Sequence, residues 1–273
     1  MKLPCQAYTG LFDIGRSDID GRNLDQYRAW LKSTIECIPN LVVYHDGSCD
    51  ELIGLDCNFQ RIPKESLKAF SYESEVKLIL NEFQPRSPSD ITFRLPKYSL
   101  VQFAKFELGS KVVEDYNADS ILWVDAGISR FIEQTITQDM LNQSVHRMLM
   151  HGIDGAFEID LRNNFNLKSW SISKSEIGSC RRVISGTSFW VHSRILQEFN
   201  QKIHSELEIW LNHKVWDNEQ VLLRSILPLD YRVHYIPQVF ASTGGVVKAF
   251  GRNGGRIFPL LDSLINYGLE RGN

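Results

Sequence analysis

Short apolar runs alternate with longer amphipathic segments along most of this chain, and no other feature of it restricts the fold so tightly. Such alternation is the sequence form of a sheet covered by helices, an α/β arrangement. Strands are expected at residues 7–13, 41–45, 52–54, 120–125, 155–161, 185–191 and 233–240. Helices are expected at 24–37, 74–82, 99–116, 137–150, 193–212 and 218–227. The first ~130 residues read as β-α-β-α repeats, and the remainder as a mixed half with longer loops. Ligands of such sheets sit beyond the carboxyl ends of the strands, so the residues just after each apolar run are the candidates for chemistry.

Composition removes several classes. With 273 residues, 43% of them hydrophobic and 23% charged, the chain can bury a sizeable core, and it is neither disordered, collagen-like nor a disulfide-scaffolded miniprotein. A net charge of −3 and a pI near 6.2 provide no global basic field for a nucleic-acid backbone, so no nucleic-acid partner is expected. The local pair Arg181 and Arg182 reads as a solvated, salt-bridged surface or as a contact for phosphate or an anionic membrane. Cys5, Cys37, Cys49, Cys57 and Cys180 form neither a CxxC pair nor a zinc spacing and read as reduced thiols. The first residues, MKLPCQAYTGLFDIG, carry no long apolar stretch, and no run of about 18 apolar residues follows. The expectation is a cytoplasmic protein that meets any membrane-borne substrate peripherally, from the inner face. No repeat or low-complexity segment interrupts the chain, and the proline-punctuated region from 84–88 to Leu95-Pro96-Lys97 reads as a surface loop within one domain.

Four constellations carry candidate chemistry. Phe12-Asp13-Ile14-Gly15-Arg16 follows the first apolar run: Gly15 permits a turn close to a ligand, and the Arg16 fork suits phosphate or carboxylate. The alternative is a turn in which Arg16 pairs with Asp13 or Asp18. Trp123-Val124-Asp125-Ala126-Gly127 ends a strand on a carboxylate that can hold a divalent cation, or simply cap the next segment. Trp216-Asp217-Asn218-Glu219 opens a helix, with Asp217 as its N-cap or with one of Asp217 and Glu219 as a general base. Ser185-Gly186-Thr187 with Trp190 offers small polar donors and a ring for a sugar, or an ordinary strand. The glycine pairs at 244–245 and 254–255 mark late loops that could close over a ligand. No HExxH and no G-x-S-x-G element occurs.

Taken in order, the Leu11–Arg16 segment, "YSLVQFAK" from Tyr98 to Lys105, "ADSILWVDAG", "SGTSFWV" and "WDNEQVLL" resemble the HtrL/YibB family of bacterial glycosyltransferase-like proteins over about residues 7–240. The resemblance implies a Rossmann-like mixed sheet flanked by helices, a single domain of the glycosyltransferase A type. Residues up to about 130 would hold the nucleotide-sugar and residues 131–273 the acceptor. It implies transfer of a sugar from a nucleotide diphosphate-sugar, UDP-linked by preference, to a glycan or lipid-linked glycan in polysaccharide synthesis. Asp13, Gly15 and Arg16 would lie against the nucleotide, with Lys105 near the diphosphate or positioning Asp125. Asp125 would bind Mn²⁺ or Mg²⁺, although Gly127 stands where such enzymes carry a second Asp. Asp217 and Glu219 would face the acceptor, and Ser185, Gly186, Thr187 and Trp190 the sugar. Two rival expectations are a non-catalytic nucleotide-sugar or glycan-binding module and a nucleotide-sugar hydrolase.

Overall fold

The structure, a computed structural model, describes residues 4–38, 40–132, 135–159, 177–178, 184–227 and 232–237. The chain opens with strand β1 (Gln6–Leu11), the single turn α1 (Ser17–Asp20) and helix α2 (Leu24–Cys37), followed by β2 (Val42–His45) and β3 (Asn58–Arg61). Helices α3 (Glu73–Glu82), α4 (Ile91–Arg94) and α5 (Pro96–Tyr116) lead into β4 (Ser120–Val124) and α6 (Gln138–Met150). Strands β5 (Gly155–Ile159) and β6 (Ile184–His192), helices α7 (Ser193–Asn212) and α8 (Glu219–Ile226), and β7 (Val233–Pro237) complete the described elements.

Seven strands form one sheet in the order β3-β2-β1-β4-β6-β5-β7. The pairs β1·β2, β1·β4 and β2·β3 are parallel, β4·β6 and β5·β6 antiparallel, and β5·β7 parallel. This is the mixed α/β sheet flanked by helices that the sequence pattern predicts. Strand period two sends alternate side chains to opposite faces. Tyr8, Ile121, Trp123, Phe157 and Phe189 join one core with residues of α3, α5, α7 and α8, while Ala7, Leu122, Val124, Ala156 and Trp190 join a second with α2 and α6. Helix α5 can lie close on the first face because Gly109 has no side chain: a Cβ there would stand 2.5 Å from Ile121 Cδ1.

Local chemistry sets the helix ends near the sheet edge. Asn23 and Gln26 form a reciprocal capping box at the start of α2. Pro96 occupies the first turn of α5, where its missing N–H is not needed, and Asn117 ends that helix in the left-handed region at φ 49°. Two expectations change. Residues 52–54 are not a strand: a 3-10 turn covers Asp50–Leu52 and only an isolated bridge, Ile53 to Leu55, follows. The edge strand is instead the polar β3. The segment read as a loop before Pro96 contains α4, capped by the Asp90 side chain on Thr92 N.

Arg181, Arg182, Cys180, residues 160–161 and 238–240 of two expected strands, and both late glycine pairs lie outside the described residues. Cys5, Cys37, Cys49 and Cys57 are free thiols. Burial pushes Cys5 and Cys57 up to about 12 and Cys49 to about 11, which makes them poor nucleophiles. No helix among the described residues is long and apolar enough to cross a membrane.

Candidate functional site

β2 and β4 lie on opposite sides of β1, so the connections after β1 and β4 leave the sheet in different directions and open a crevice at their carboxyl ends. A cavity of about 260 Å³ fills that crevice. Its floor is Gly10–Ile14, Trp123 and Asp125–Gly127, its walls are α2 through Leu24 and Tyr27 and α5 through Tyr98, Val101 and Gln102, and Arg16, Arg22 and Arg130 stand around it.

The loop after β1 is built by short-range bonds. Gly15 takes φ +73°, a conformation that costs a residue with a side chain, and its N–H donates to Asp13 Oδ1 at 3.1 Å. Asp13 N in turn donates to Asp46 Oδ1. Arg16 pairs with neither Asp13 nor Asp18 but with Asp20 one turn on, at 2.8 Å, and its guanidinium lies over the Tyr98 and Tyr27 rings at 4.9 and 5.7 Å. Burial opposes the Arg16 charge, and the Asp20 bond with the flanking tyrosines outweighs it, so its pKa stands above the ordinary arginine value. Across the cavity Arg130 donates from Nε to Gly127 O at 3.0 Å and stacks on Trp30 at 4.1 Å. Burial and the nearby Arg22 charge draw its pKa below the usual value.

The loop after β4 is tied to α2. Thr34 Oγ1 donates to Ala126 O at 2.8 Å and accepts from Ser129 N, and Ser129 Oγ donates to Trp30 O. Asp125 N donates to Thr187 O, extending the β4·β6 pairing by one rung. The Asp125 carboxylate is 39% exposed, toward the cavity, and is otherwise enclosed by protein. Burial lifts its pKa, Lys105 opposes and Glu219 adds to the rise, so the net direction is up.

Behind Asp125 lies a buried polar cluster. Lys105 on α5 is 1% exposed and donates from Nζ to Gly186 O at 2.7 Å and to Glu219 Oε1 at 3.2 Å; Asp125 Oδ1 is 3.6 Å away. Trp123 Nε1 donates to Gly186 O at 3.1 Å and to Asp125 Oδ1 at 3.3 Å. A register shift between β5 and β6 delivers the Gly186 carbonyl: Phe157 faces Phe189 while Glu158 faces Ser185, so residues 186–188 bulge from the ladder. A Cβ at Gly186 would fall 2.0 Å from Glu219 Oε1, so only glycine fits.

The structure thus brings Asp13, Arg16, Asp125 and Gly127 to one cavity, with Gly15 in its loop and Lys105 beneath it. The other sequence candidates lie elsewhere. Asp217 is fully buried and accepts from Gly178 N at 2.7 Å and from Asn218 N; the N-cap of α8 is Asn218, whose side chain accepts from Gln220 N and Val221 N. Glu219 is 1% exposed and faces Lys105, with no hydrogen-bond partner for Oε2. Neither carboxylate borders the cavity, so neither is placed to take a proton from an acceptor there. Trp190 is fully buried in the second core opposite Leu122 and presents no face to a sugar. Ser185 and Thr187 bond each other at 2.8 Å, and Thr187 donates to Glu158 Oε2. Arg22, Arg130 and Tyr27 are not singled out by sequence, because no strand end or motif announces them, and Tyr98 enters only as the first residue of "YSLVQFAK", with no role assigned.

The residues around Asp125 do not suit a divalent cation. Such an ion asks for several oxygen donors, whereas Asp125 has Gly127 two residues on and an ammonium 3.6 Å from its Oδ1. Even at an effective dielectric of about 20, each unit of like charge 4 Å away costs about 4 kcal/mol. Among the described residues no group of three His, Cys, Asp or Glu side chains could hold a metal.

No protein-family model matches the chain, and no curated protein matches its sequence. Solved structures similar to it include mouse xyloside xylosyltransferase 1 in its apo form, at 9% identity over 85% of this chain and 84% of that one, with a TM-score of 0.43. A cytidylyltransferase from Leptospira borgpetersenii is 10% identical over 86% of this chain and 76% of that one, TM-score 0.42. The Mn/GDP form of core-mannan synthase A from Aspergillus fumigatus is 9% identical over 85% and 72%, TM-score 0.41. Likenesses this distant carry no weight for chemistry, which rests on the residues of the cleft.

Proposed function

We propose that this chain is a transferase that takes a sugar from a nucleoside diphosphate-sugar and passes it to a hydroxyl of a glycan or lipid-linked glycan. One observation carries the reading: at the switch point of the sheet, three arginines, the aromatic rings of Tyr27, Tyr98 and Trp123, and the carboxylates of Asp13 and the partly exposed Asp125 converge on a single cavity, with Asp125 at the end of β4. Rings suit a nucleobase, guanidinium forks suit a diphosphate, and the Asp125 carboxylate suits the reacting end. The resemblance to the HtrL/YibB family supports the same reading, on which residues up to about 130 would hold the nucleotide-sugar and the later residues the acceptor.

In this reaction the acceptor oxygen bonds to the anomeric carbon and the bond from that carbon to the diphosphate breaks, its electron pair leaving with the diphosphate. Arg16, Arg22 and Arg130 stabilise the leaving charge. The hydroxyl proton passes to Asp125, whose raised pKa improves it as a base. Glu219 holds Lys105 and adds its own charge to the rise of the Asp125 pKa, and Asp217 anchors the start of α8.

Calorimetric titration with UDP-, GDP-, ADP- and dTDP-sugars tests the proposal. One donor class should bind, and Arg16→Ala and Arg130→Ala should each weaken it by about 10- to 100-fold, the worth of a charge-assisted bond. Failure of all four to bind would overturn it. Acceptor-dependent release of nucleoside diphosphate separates a transferase from a binding module, and acceptor-independent release would favour a hydrolase.

A further inference from the structure

We infer that Lys105 is a built-in counter-cation occupying the place of a divalent metal beside Asp125, so that the cleft binds its diphosphate ligand without a metal ion. The inference rests on the nucleotide-binding reading above for its ligand, but its geometry stands independently. Lys105 Nζ lies among three oxygens from three elements: Gly186 O on β6 at 2.7 Å, Glu219 Oε1 on α8 at 3.2 Å, and Asp125 Oδ1 after β4 at 3.6 Å. Two carboxylates and a carbonyl form the hard-oxygen donor set that a metal ion would choose, and an ammonium is already in it.

The surroundings are built to keep that ammonium in place. Both Lys105 and the Glu219 carboxylate are 99% shielded from solvent, where an ion is tolerated only when paired. The β6 bulge turns the Gly186 carbonyl inward, and no side chain other than hydrogen fits at that residue. Lys105 offsets part of the charge of Asp125 and Glu219 from below, while Arg16, held by Asp20, lines the cavity above with Arg22 and Arg130, where a diphosphate would sit.

The full chain is titrated with MnCl₂ alone, followed by Mn²⁺ electron paramagnetic resonance and calorimetry. It is then titrated with UDP and GDP, once in chelator and once in Mn²⁺. The wild type should show no Mn²⁺ site tighter than about 1 mM, and nucleotide affinity should agree within about twofold between the two solutions. Lys105→Ala removes the ammonium and leaves its oxygens, so it should gain one Mn²⁺ site and be raised in Tm by Mn²⁺, which leaves the wild-type Tm unchanged. A wild-type Mn²⁺ site that Asp125→Asn removes overturns the inference, as does nucleotide affinity that rises about tenfold or more with Mn²⁺. So does a folded Lys105→Ala variant indifferent to Mn²⁺; if that variant does not fold, the wild-type titrations decide alone. Absence of nucleotide binding in both solutions would instead overturn the proposed function, while the Mn²⁺ titration still judges Lys105.

Discussion

Gly186 shows how one missing side chain can hold a site together. A Cβ there would meet Glu219 Oε1 at 2.0 Å and Lys105 Nζ at 3.0 Å, and both groups are buried and bonded, so neither can swing away. Gly186→Ala is therefore expected to destabilise the chain by about 1–3 kcal/mol, the usual cost of overpacking. Chemical denaturation measures it, and a variant as stable as wild type would mean the bulge gives way easily. Asp125 behaves in the opposite sense. Its folded-state pKa is raised, so its contribution to stability is complete below the unfolded value of 3.8 and is lost as pH rises through the folded value. Above the unfolded value Asp125 is thus a net cost, and Asp125→Asn should raise Tm at pH 7 while the gain vanishes near pH 3. A wild-type-like Tm at pH 7 would contradict the sign. The same variant should lose turnover, an exchange of stability for function that is common at active sites.

Helix α2 links the two halves of the cavity rim at the scale of elements. Its Tyr27 faces Arg16, its Trp30 supports Arg130, and its Thr34 binds the loop that carries Asp125. Thr34→Val keeps the shape but strands Ser129 N and loosens Ala126 O, which should cost on the order of 1–2 kcal/mol in stability and weaken donor binding. Unchanged binding would show that the loop holds its form without α2. The helix itself is readable from its periodicity, and β2 and β4 from continuous apolar runs, because strands buried on both faces carry no polar alternation, whereas β1 is short of that pattern at the buried Gln6 and Thr9. β3 escaped because an exposed edge strand reading Asn-Phe-Gln-Arg lacks that signal. In the site, Asp13, Arg16, Asp125 and Gly127 were readable since each follows a strand end. Arg22 and Arg130 were not, since only the folded crevice gathers them. Lys105 could have been suspected of burial from Phe103-Ala104-Lys105-Phe106, a lysine with apolar neighbours on every side of its helix. Asp217 and Trp190 misled because a helix start and an aromatic strand look the same whether they face a ligand or the core.

Charge distribution ties the whole molecule to its cleft. The chain carries a net −3, yet Arg16, Arg22 and Arg130 gather at a cavity whose carboxylates are Asp13 and Asp125, with Lys105 beneath Asp125. A low-dielectric crevice walled by aromatic rings focuses that positive field outward, drawing anions to a molecule that otherwise repels them. Such attraction is screened as the Debye length falls from about 10 Å at 0.1 M salt to about 3 Å at 1 M. Affinity for a nucleoside diphosphate should therefore fall by about tenfold or more between these salt concentrations, whereas the uncharged nucleoside, held by the rings alone, should bind equally weakly in both. Arg130→Ala should flatten the dependence for the diphosphate by removing one of the charges that produce it. Equal salt sensitivity of nucleoside and diphosphate would mean the arginines do not face the ligand, and the polarity assigned to this cleft would have to be reversed.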